Sequence, residues 1–306
     1  MTGQPDLVDR LAEGQVSTVL ALVTAAAAAD GVAPLSEHGM LRVQHGGPGQ
    51  GQDALITSDG AITGYGYVEP RAEEGEAAGE LVIHPSRRRH GLGTALARAL
   101  IAATGEAPLR VWAHGDLPAA AALAAAAGFE RFRALLQLRR PLSEPLAEAV
   151  FPPGTTLRTF RAGQDEQEWL SLNARAFAKH PEQGSWTRRD LELREAEPWF
   201  NPDGFFIAER DGAMIGFHWT KVHQRADGGL GEVYVVGVDP EAHGGGIGKA
   251  LTLAGLRYLR EQGLSQVMLY ADEDNVAAVS MYQNLGFTHW RTDAMYRRPG
   301  QAPSCR

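Results

Sequence analysis

Two stretches of this 306-residue chain carry residues able to hold a phosphate, and two side chains near the second could move a proton. The first stretch reads Val82-Ile83-His84-Pro85, then Arg88-Arg89-His90-Gly91-Leu92-Gly93-Thr94-Ala95-Leu96. The second reads Gly237-Val238-Asp239-Pro240, then His243-Gly244-Gly245-Gly246-Ile247-Gly248-Lys249-Ala250-Leu251. Each sets an apolar strand, a proline and a glycine-rich turn directly before an Ala/Leu-rich helix. That order aims backbone N–H groups and the positive end of a helix at one point, a seat for a pyrophosphate. Just upstream of the second seat, Glu232 stands in an otherwise apolar, aromatic strand, on the face of Tyr234, Val236 and Val238 by period-2 alternation. An acid among such neighbours is expected to have a raised pKa and to act as a base, directly or through water. A solvent-exposed carboxylate on an edge strand is the other reading. Tyr282, one turn before a helix end, is a candidate acid or a packing tyrosine.

The elements that must position these groups occur twice. His84-Pro85 aligns with Asp239-Pro240 at an offset of 155 (239 − 84), and Gly128-Phe129 with Gly286-Phe287 at 158 (286 − 128). A period this long means duplicated domains, not a solenoid. In the second copy, Asp165–Ala178 is a helix, and Gly204–Arg210 and Ala213–Val222 form a hairpin around Asp211-Gly212. Gly231–Val238 is the strand entering the loop and Ile247–Gln262 the helix leaving it; Gln266–Ala271 is a strand and Asn275–Asn284 a helix ended by Gly286. The first copy repeats this with Gln15–Asp30, Asp53–Thr57, Ala61–Glu69, Glu80–Ile83, Leu92–Ala103, Leu109–Ala113, Ala119–Ala127 and Phe132–Arg139. Residues 71–79 read as a solvated turn. Each copy closes on a strand ending in Arg-Arg-Pro, at Pro141 and Pro299. The expectation is an α/β fold with a mixed sheet in two tandem domains, 1–142 and 154–300, with a proline-rich linker over 143–153 and a tail over 301–306. The offsets place Ala77 opposite Glu232 and Ala124 opposite Tyr282, so copy one can bind and copy two can react. Glu76 and Glu80 could substitute for Glu232 only through a shifted register.

Composition sets outer limits. With 44% hydrophobic and 22% charged residues the chain is ordinary globular protein, long enough for two cores. A formal net charge of −8 speaks against a nucleic-acid partner, because phosphate neutralisation needs a basic surface. The N-terminus has no basic segment leading into an apolar run, and the longest apolar stretches are short or Ala-dominated. No signal peptide and no membrane partner are therefore expected. The one cysteine, Cys305, excludes an internal disulfide and fits a cytoplasmic setting. The histidines lack ligand spacing, so no metal is expected; a monomer is the expected state.

The loop pattern Q/R-x-x-G-x-G/A between strand and helix, followed by Asn275, Ala278, Tyr282, Gly286 and Phe287, resembles the GNAT superfamily of acyl-CoA-dependent N-acetyltransferases. The likeness covers nearly the whole chain, twice. One departure is that His243 and Gly244 open the second loop where a basic residue or Gln is usual; the first, opening with Arg88, is closer. The resemblance implies acetyl-CoA in both domains and catalysis in the C-terminal one. In the first domain the implied contacts are Leu81, Val82, Ile83, Arg89, His90, Gly91, Leu92, Gly93 and Thr94. In the second they are Val236, Gly237 and Val238 along the pantetheine arm, and His243, Gly244, Gly245, Gly246, Ile247, Gly248 and Lys249 at the pyrophosphate. Asn275, Val276, Ala277, Ala278, Val279 and Ser280 complete them. Lys249 reads equally as surface charge and Asn275 as a helix N-cap.

Acetyl transfer to an amine requires loss of the ammonium proton, stabilisation of the developing oxyanion and acceptance of a thiolate. Glu232 suits the first task. Tyr282 suits the last, though modestly: a tyrosine near pKa ~10 donating to a thiol near ~8.5 gains toward the low end of ~10²–10⁴-fold. A closer likeness, to one tandem-domain branch of the superfamily, rests on His180–Trp186, Gly216–Lys221 and Gly231–Pro240. It implies a small thiol-amine substrate, the free cysteinyl amine of a cysteinyl-glucosaminyl-inositol. The implied substrate positions are Glu37, Glu182, Lys221 and Tyr270 beside Glu232. Each has a plainer reading: exposed acid for Glu182, surface charge for Lys221, core residue for Tyr270. Glu37 requires the first domain to reach the second. Another amine acceptor, such as an aminoglycoside or polyamine, and a non-catalytic acyl-CoA sensor remain as alternatives.

Overall fold

A computed structural model describes residues 4–46, 51–71, 75–180, 183–224 and 228–300. In chain order the elements of the first half are β1 (Asp6–Val8), α1 (Glu13–Asp30), α2 (Glu37–His45), β2 (Gln52–Ser58), β3 (Ala61–Arg71), β4 (Glu76–Ile83), α3 (Leu92–Ala103), β5 (Leu109–Ala113), α4 (Pro118–Ala126) and β6 (Glu130–Pro141). The second half continues with β7 (Thr155–Thr159), α5 (Glu166–Ala176), α6 (Arg188–Glu195), β8 (Phe205–Arg210), β9 (Ala213–His223), β10 (Leu230–Val238), α7 (Ile247–Glu261), β11 (Gln266–Asp272), α8 (Val276–Asn284) and β12 (Thr288–Arg298). The α/β class and mixed sheet agree with expectation.

The chain forms two compact units, but not with the expected ends. One comprises Met1–Leu135 with Arg291–Arg306, the other Leu136–Trp290. In the first unit the strands run β1-β2-β3-β4-β5-β12, antiparallel except for the parallel β4/β5 pair. The second runs β6-β11-β10-β9-β8-β7, with β10/β11 parallel. Each sheet is thus completed by the closing strand of the other half of the chain. Both closing strands end in the same Arg-Arg-Pro, so sequence alone does not say which sheet each joins. Exchange within one chain carries no association cost, unlike swapping between subunits.

The helices that face the site form for local reasons. In α3, Leu92, Leu96 and Leu100 recur every four residues and are buried as one stripe; α7 does the same with Ile247, Leu251, Gly255 and Leu259. Asp211 and Gly212, at φ +52° and +80°, make the tight turn of the β8–β9 hairpin. Four elements had no sequence expectation: β1, β7, α2 and α6. Strand β4 starts at Glu76, so the residues expected as a solvated turn include strand, with Ala77 buried; residues 72–74 lie outside the described ones. The expected linker is held to the second unit. Leu142, just before it, is fully buried and its N–H donates to Ser265 O, and within it the Ala147 carbonyl accepts from Arg257. Leu146 and Ala149 pack on the core that includes Leu256 and Phe287.

Candidate active site

In both units two parallel strands pair briefly and then part. In the second unit β10 meets β11 from Gly231 to Val233, and in the first β4 meets β5 from Ala77 to Gly79. Beyond those points Val236–Val238 and Leu81–Ile83 have no strand partner on that side among the described residues, so their backbone groups remain for a ligand. Each strand then leads to its glycine loop. Gly246 and Gly91 are the N-caps of α7 and α3, at φ +79° and +80°, and no side chain caps either helix. The first-turn N–H groups are therefore left for an incoming anion. A Cβ on Gly244, Gly246 or Gly91 would meet nothing within 4 Å. Glycine is required there for the left-handed backbone, not for packing.

The odd opening of the second loop also has a structural account. Arg88 Nε donates to the Ile83 carbonyl at 3.2 Å, and His243 Nε2 to the Val238 carbonyl at 3.1 Å. Both tie the loop back to the last residue of the strand, at the same offset of 155. Arg88 is further engaged by Asp30 through bonds of 2.6 and 2.7 Å, so it braces the loop instead of standing as a phosphate anchor. Lys249, on the first turn of α7, is exposed.

Glu232 does not lie on the face that strict alternation gives. Against β9, Val233 pairs with Thr220 and Val235 with Trp219, so Tyr234 is one extra residue, a β-bulge. Val233 and Val236 pack on the α7 side with Leu253 and Leu256, and Val238 packs beside Ile247. Glu232 and Tyr234 face the other way, with the aromatic cluster of Trp169, Trp219 and Trp199. The unbulged β4 changes the comparison between copies as well. Equivalent strand registers place Ala78, not Ala77, opposite Glu232. The substitute is still an alanine.

On that face the second unit gathers polar side chains from four adjacent strands. Glu232 is 7% exposed, and His223 Nε2 on β9 donates to its Oε2 at 2.6 Å. Its surroundings are thus more polar than the apolar strand suggests. Lys221, cross-strand from Glu232, is buried, with its ammonium 4.1 Å from the Trp199 ring centroid and 5.0 Å from that of Tyr234. It is not surface charge. Tyr270 on β11 is 39% exposed and accepts from Gln137 Nε2 on β6 at 2.7 Å, which excludes a core role. Arg194 on α6 lies 3.9 Å from the Trp186 ring centroid and donates to the Tyr234 hydroxyl at 2.8 Å. His223, Trp199 and Arg194 were not anticipated. The signal for His223 was available, since it follows Lys221 by two residues in one strand and so shares its face. Glu182 lies outside the described residues. Glu37 belongs to the first unit, as the first residue of α2 after the N-cap Ser36.

Tyr282 is 8% exposed in the core formed with Leu138, Leu253 and Leu269, and its ring meets Phe287 edge-on at 5.7 Å. Burial pushes its pKa up to about 12. It is a poorer proton donor than an ordinary tyrosine. Asn275 caps α8, its side chain accepting from Ala278 N at 3.1 Å, and Val276 is 72% exposed at the helix start.

The first unit has a cleft of about 430 Å³. Its walls include Leu81, Val82, Ile83, Arg89, Gly91, Gly93 and Thr94, seven of the nine anticipated contacts. The other two point elsewhere: a His90 ring nitrogen bonds the Arg88 carbonyl, and Leu92 is buried in the core. Ala124 also lines the cleft, at the position Tyr282 fills in the second copy. His114 on the wall is clamped, Nδ1 to Asp293 and Nε2 to Glu80, each at 3.0 Å. Burial alone would lower its pKa, but these two bonds outweigh it and lift it to about 10. With both nitrogens donating to carboxylates, His114 is a fixed cation, not a base. No cluster of metal-binding side chains occurs among the described residues, and no described helix is long and apolar enough to cross a membrane.

Comparison with known proteins agrees with this reading. A family model described as acetyltransferase (GNAT) family matches residues 35–129 and again 167–287. A mycothiol acetyltransferase of Thermobispora bispora is 56% identical over 288 residues, covering 93% of this chain and 96% of the relative. One from Thermomonospora curvata is 55% identical over 292 residues, 95% of this chain and 96% of that one. Among solved structures, a tandem GNAT protein from the clavulanic acid biosynthesis pathway superposes with a TM-score of 0.73 over 99% of this chain and 100% of that chain, at 22% identity. That last likeness speaks for the fold. The chain belongs to the acetyltransferase (GNAT) family, with one match to the family in each of its two units.

Proposed function

We propose that the chain, an acyl-CoA-dependent acyltransferase, moves the acetyl group of acetyl-CoA to the cysteinyl amine of a cysteinyl-glucosaminyl-inositol, giving mycothiol. The observation that carries the reaction is the bulge at Tyr234. It turns Glu232 onto the face of Lys221 and Tyr270 while leaving the Val236–Val238 backbone free at the parting of β10 and β11. The acceptor follows from relatives that bear the name mycothiol acetyltransferase. Glu232 takes the ammonium proton and the amine attacks the thioester carbon. The C–S bond breaks, and the thiolate leaves against the Tyr282 hydroxyl. Lys221 and Tyr270, with Glu182 as a further partner, bind the hydroxyl-rich acceptor. The first unit holds acetyl-CoA without turning it over, since alanines stand at the positions of Glu232 and Tyr282. A cytoplasmic monomer acting without metal completes the proposal.

The test is incubation with acetyl-CoA and des-acetyl mycothiol, read as product mass. Acetylated product is expected, and Glu232→Gln should lower turnover by about 10²–10⁴-fold with acetyl-CoA affinity kept. Turnover on an aminoglycoside but not on the cysteinyl amine would overturn the acceptor. Acetyl-CoA binding with no acceptor turned over would make the protein a sensor.

A further inference from the structure

A buried base that has taken a proton must lose it before the next turnover. Glu232 is buried, and its cross-strand neighbour Lys221 is an ammonium with no lone pair to receive a proton. His223 is different in kind. Its Nε2 lies 2.6 Å from Glu232 Oε2, and its side chain is 31% exposed, against 9% for that of Glu232. It is the last residue of β9, and its side chain touches the buried carboxylate while being partly open to solvent. An imidazole can accept a proton at one nitrogen while releasing one from the other.

We propose that His223 is the proton outlet of Glu232, a positioning and relay residue for the transfer reaction. This rests on Glu232 being the base. The ammonium proton passes to the Glu232 carboxylate, and the freed amine pair attacks the thioester carbon. The carboxyl then gives its proton to Nε2 of neutral His223 while Nδ1 releases one to water. The carboxylate is restored and no other reactant is needed. The transfer leaves Nε2–H donating to the carboxylate, which fixes its rotamer, and exchange of the ring proton with water returns His223 to the Nδ1–H tautomer that accepts at Nε2 in the next turnover.

The experiment is steady-state kinetics of the full chain with acetyl-CoA and des-acetyl mycothiol. His223→Ala is expected to lose about 10- to 100-fold in kcat, with the KM for acetyl-CoA unchanged, and to recover as imidazole is added. His223→Gln keeps an N–H for Glu232 but cannot relay a proton, and is expected to stay low. A glutamine variant near the wild-type rate, or an alanine variant indifferent to imidazole, overturns the relay. Should alanine disturb the fold, His223→Gln still decides. A low kcat that climbs with buffer concentration supports the relay, and a low, buffer-independent one overturns it. Glu232→Gln separates the two levels. Wild-type turnover there removes the base itself, whereas a dead Glu232→Gln beside unimpaired His223 variants removes only the outlet.

Discussion

In the proposed reaction, replacing Tyr282 by phenylalanine distinguishes a proton donor from a hydrogen-bond donor to the departing sulfur. Burial holds the Tyr282 hydroxyl at about 12, and no hydrogen bond contributes to that displacement. A free thiol has a pKa of about 8.5, so handing the phenolic proton to a thiolate crosses a gap of about 3.5, or about 5 kcal/mol uphill. The reaction gains nothing from completing that transfer in the transition state. A hydrogen bond from the neutral hydroxyl to a developing thiolate is worth roughly 1.5–3 kcal/mol. Tyr282→Phe should therefore lower kcat by roughly 10- to 150-fold. The ring stays in its place against Phe287, so unfolding free energy should fall by no more than the ~1 kcal/mol typical of a point substitution. The assay pairs steady-state kinetics in H₂O and D₂O with denaturant unfolding. A loss above about 10³-fold, together with a solvent isotope effect that vanishes in the variant, would refute the reasoning and restore Tyr282 as a true general acid.

The first unit offers a prediction in pH. His114 has a folded pKa of about 10, above its usual value of 6.5, so its stabilising contribution is complete below pH 6.5 and is lost as pH rises toward 10. The upper bound is about 5 kcal/mol, and a wild-type minus His114→Gln difference that is equal at pH 6 and pH 10 would exclude it. In the second unit, His218 is fully buried with Nδ1 donating to the Leu251 carbonyl at 2.7 Å, and burial holds its pKa down at about 4. A Cβ on Gly255 would come within 2.0 Å of this ring, so Gly255→Ala should cost at least the 1–3 kcal/mol usual for overpacking. A melting temperature equal to wild type would show that α7 is free to shift.

The parts of the fold legible in advance were those with an unbroken period. Leu92–Ala103 and Leu109–Ala113 agree with expectation at both ends, because a four-residue leucine stripe and a short apolar run each permit one assignment. Helix α6 was not legible. Its eight residues, Arg188–Glu195, hold two leucines among charges, and it is held by the Thr187–Asp190 capping box and the burial of Leu191. The closing strands were visible as strands but not as partners. Tyr296 packs with the core of the first unit and Leu138 with that of the second, which no local pattern could announce.

The candidate site fails to be legible at one place, and that place separates the copies. Val233-Tyr234-Val235 contains no glycine or proline to signal a bulge, yet the extra residue there reverses the faces of everything upstream. Glu232 thereby joins Lys221 and Tyr270, while Val236 and Val238 keep their contacts with α7. The first copy has no such residue. Its strand carries Glu80 onto the Tyr67 hydroxyl at 3.1 Å and the Ser36 amide at 3.0 Å, where the acid fastens α2 and His114 in place. The glycine loops are nearly interchangeable, down to the brace each sends to the end of its strand. The copies part company at the strand: one spends its buried glutamate on structure, and the other, through a single inserted tyrosine, turns it onto the face of Lys221 and Tyr270.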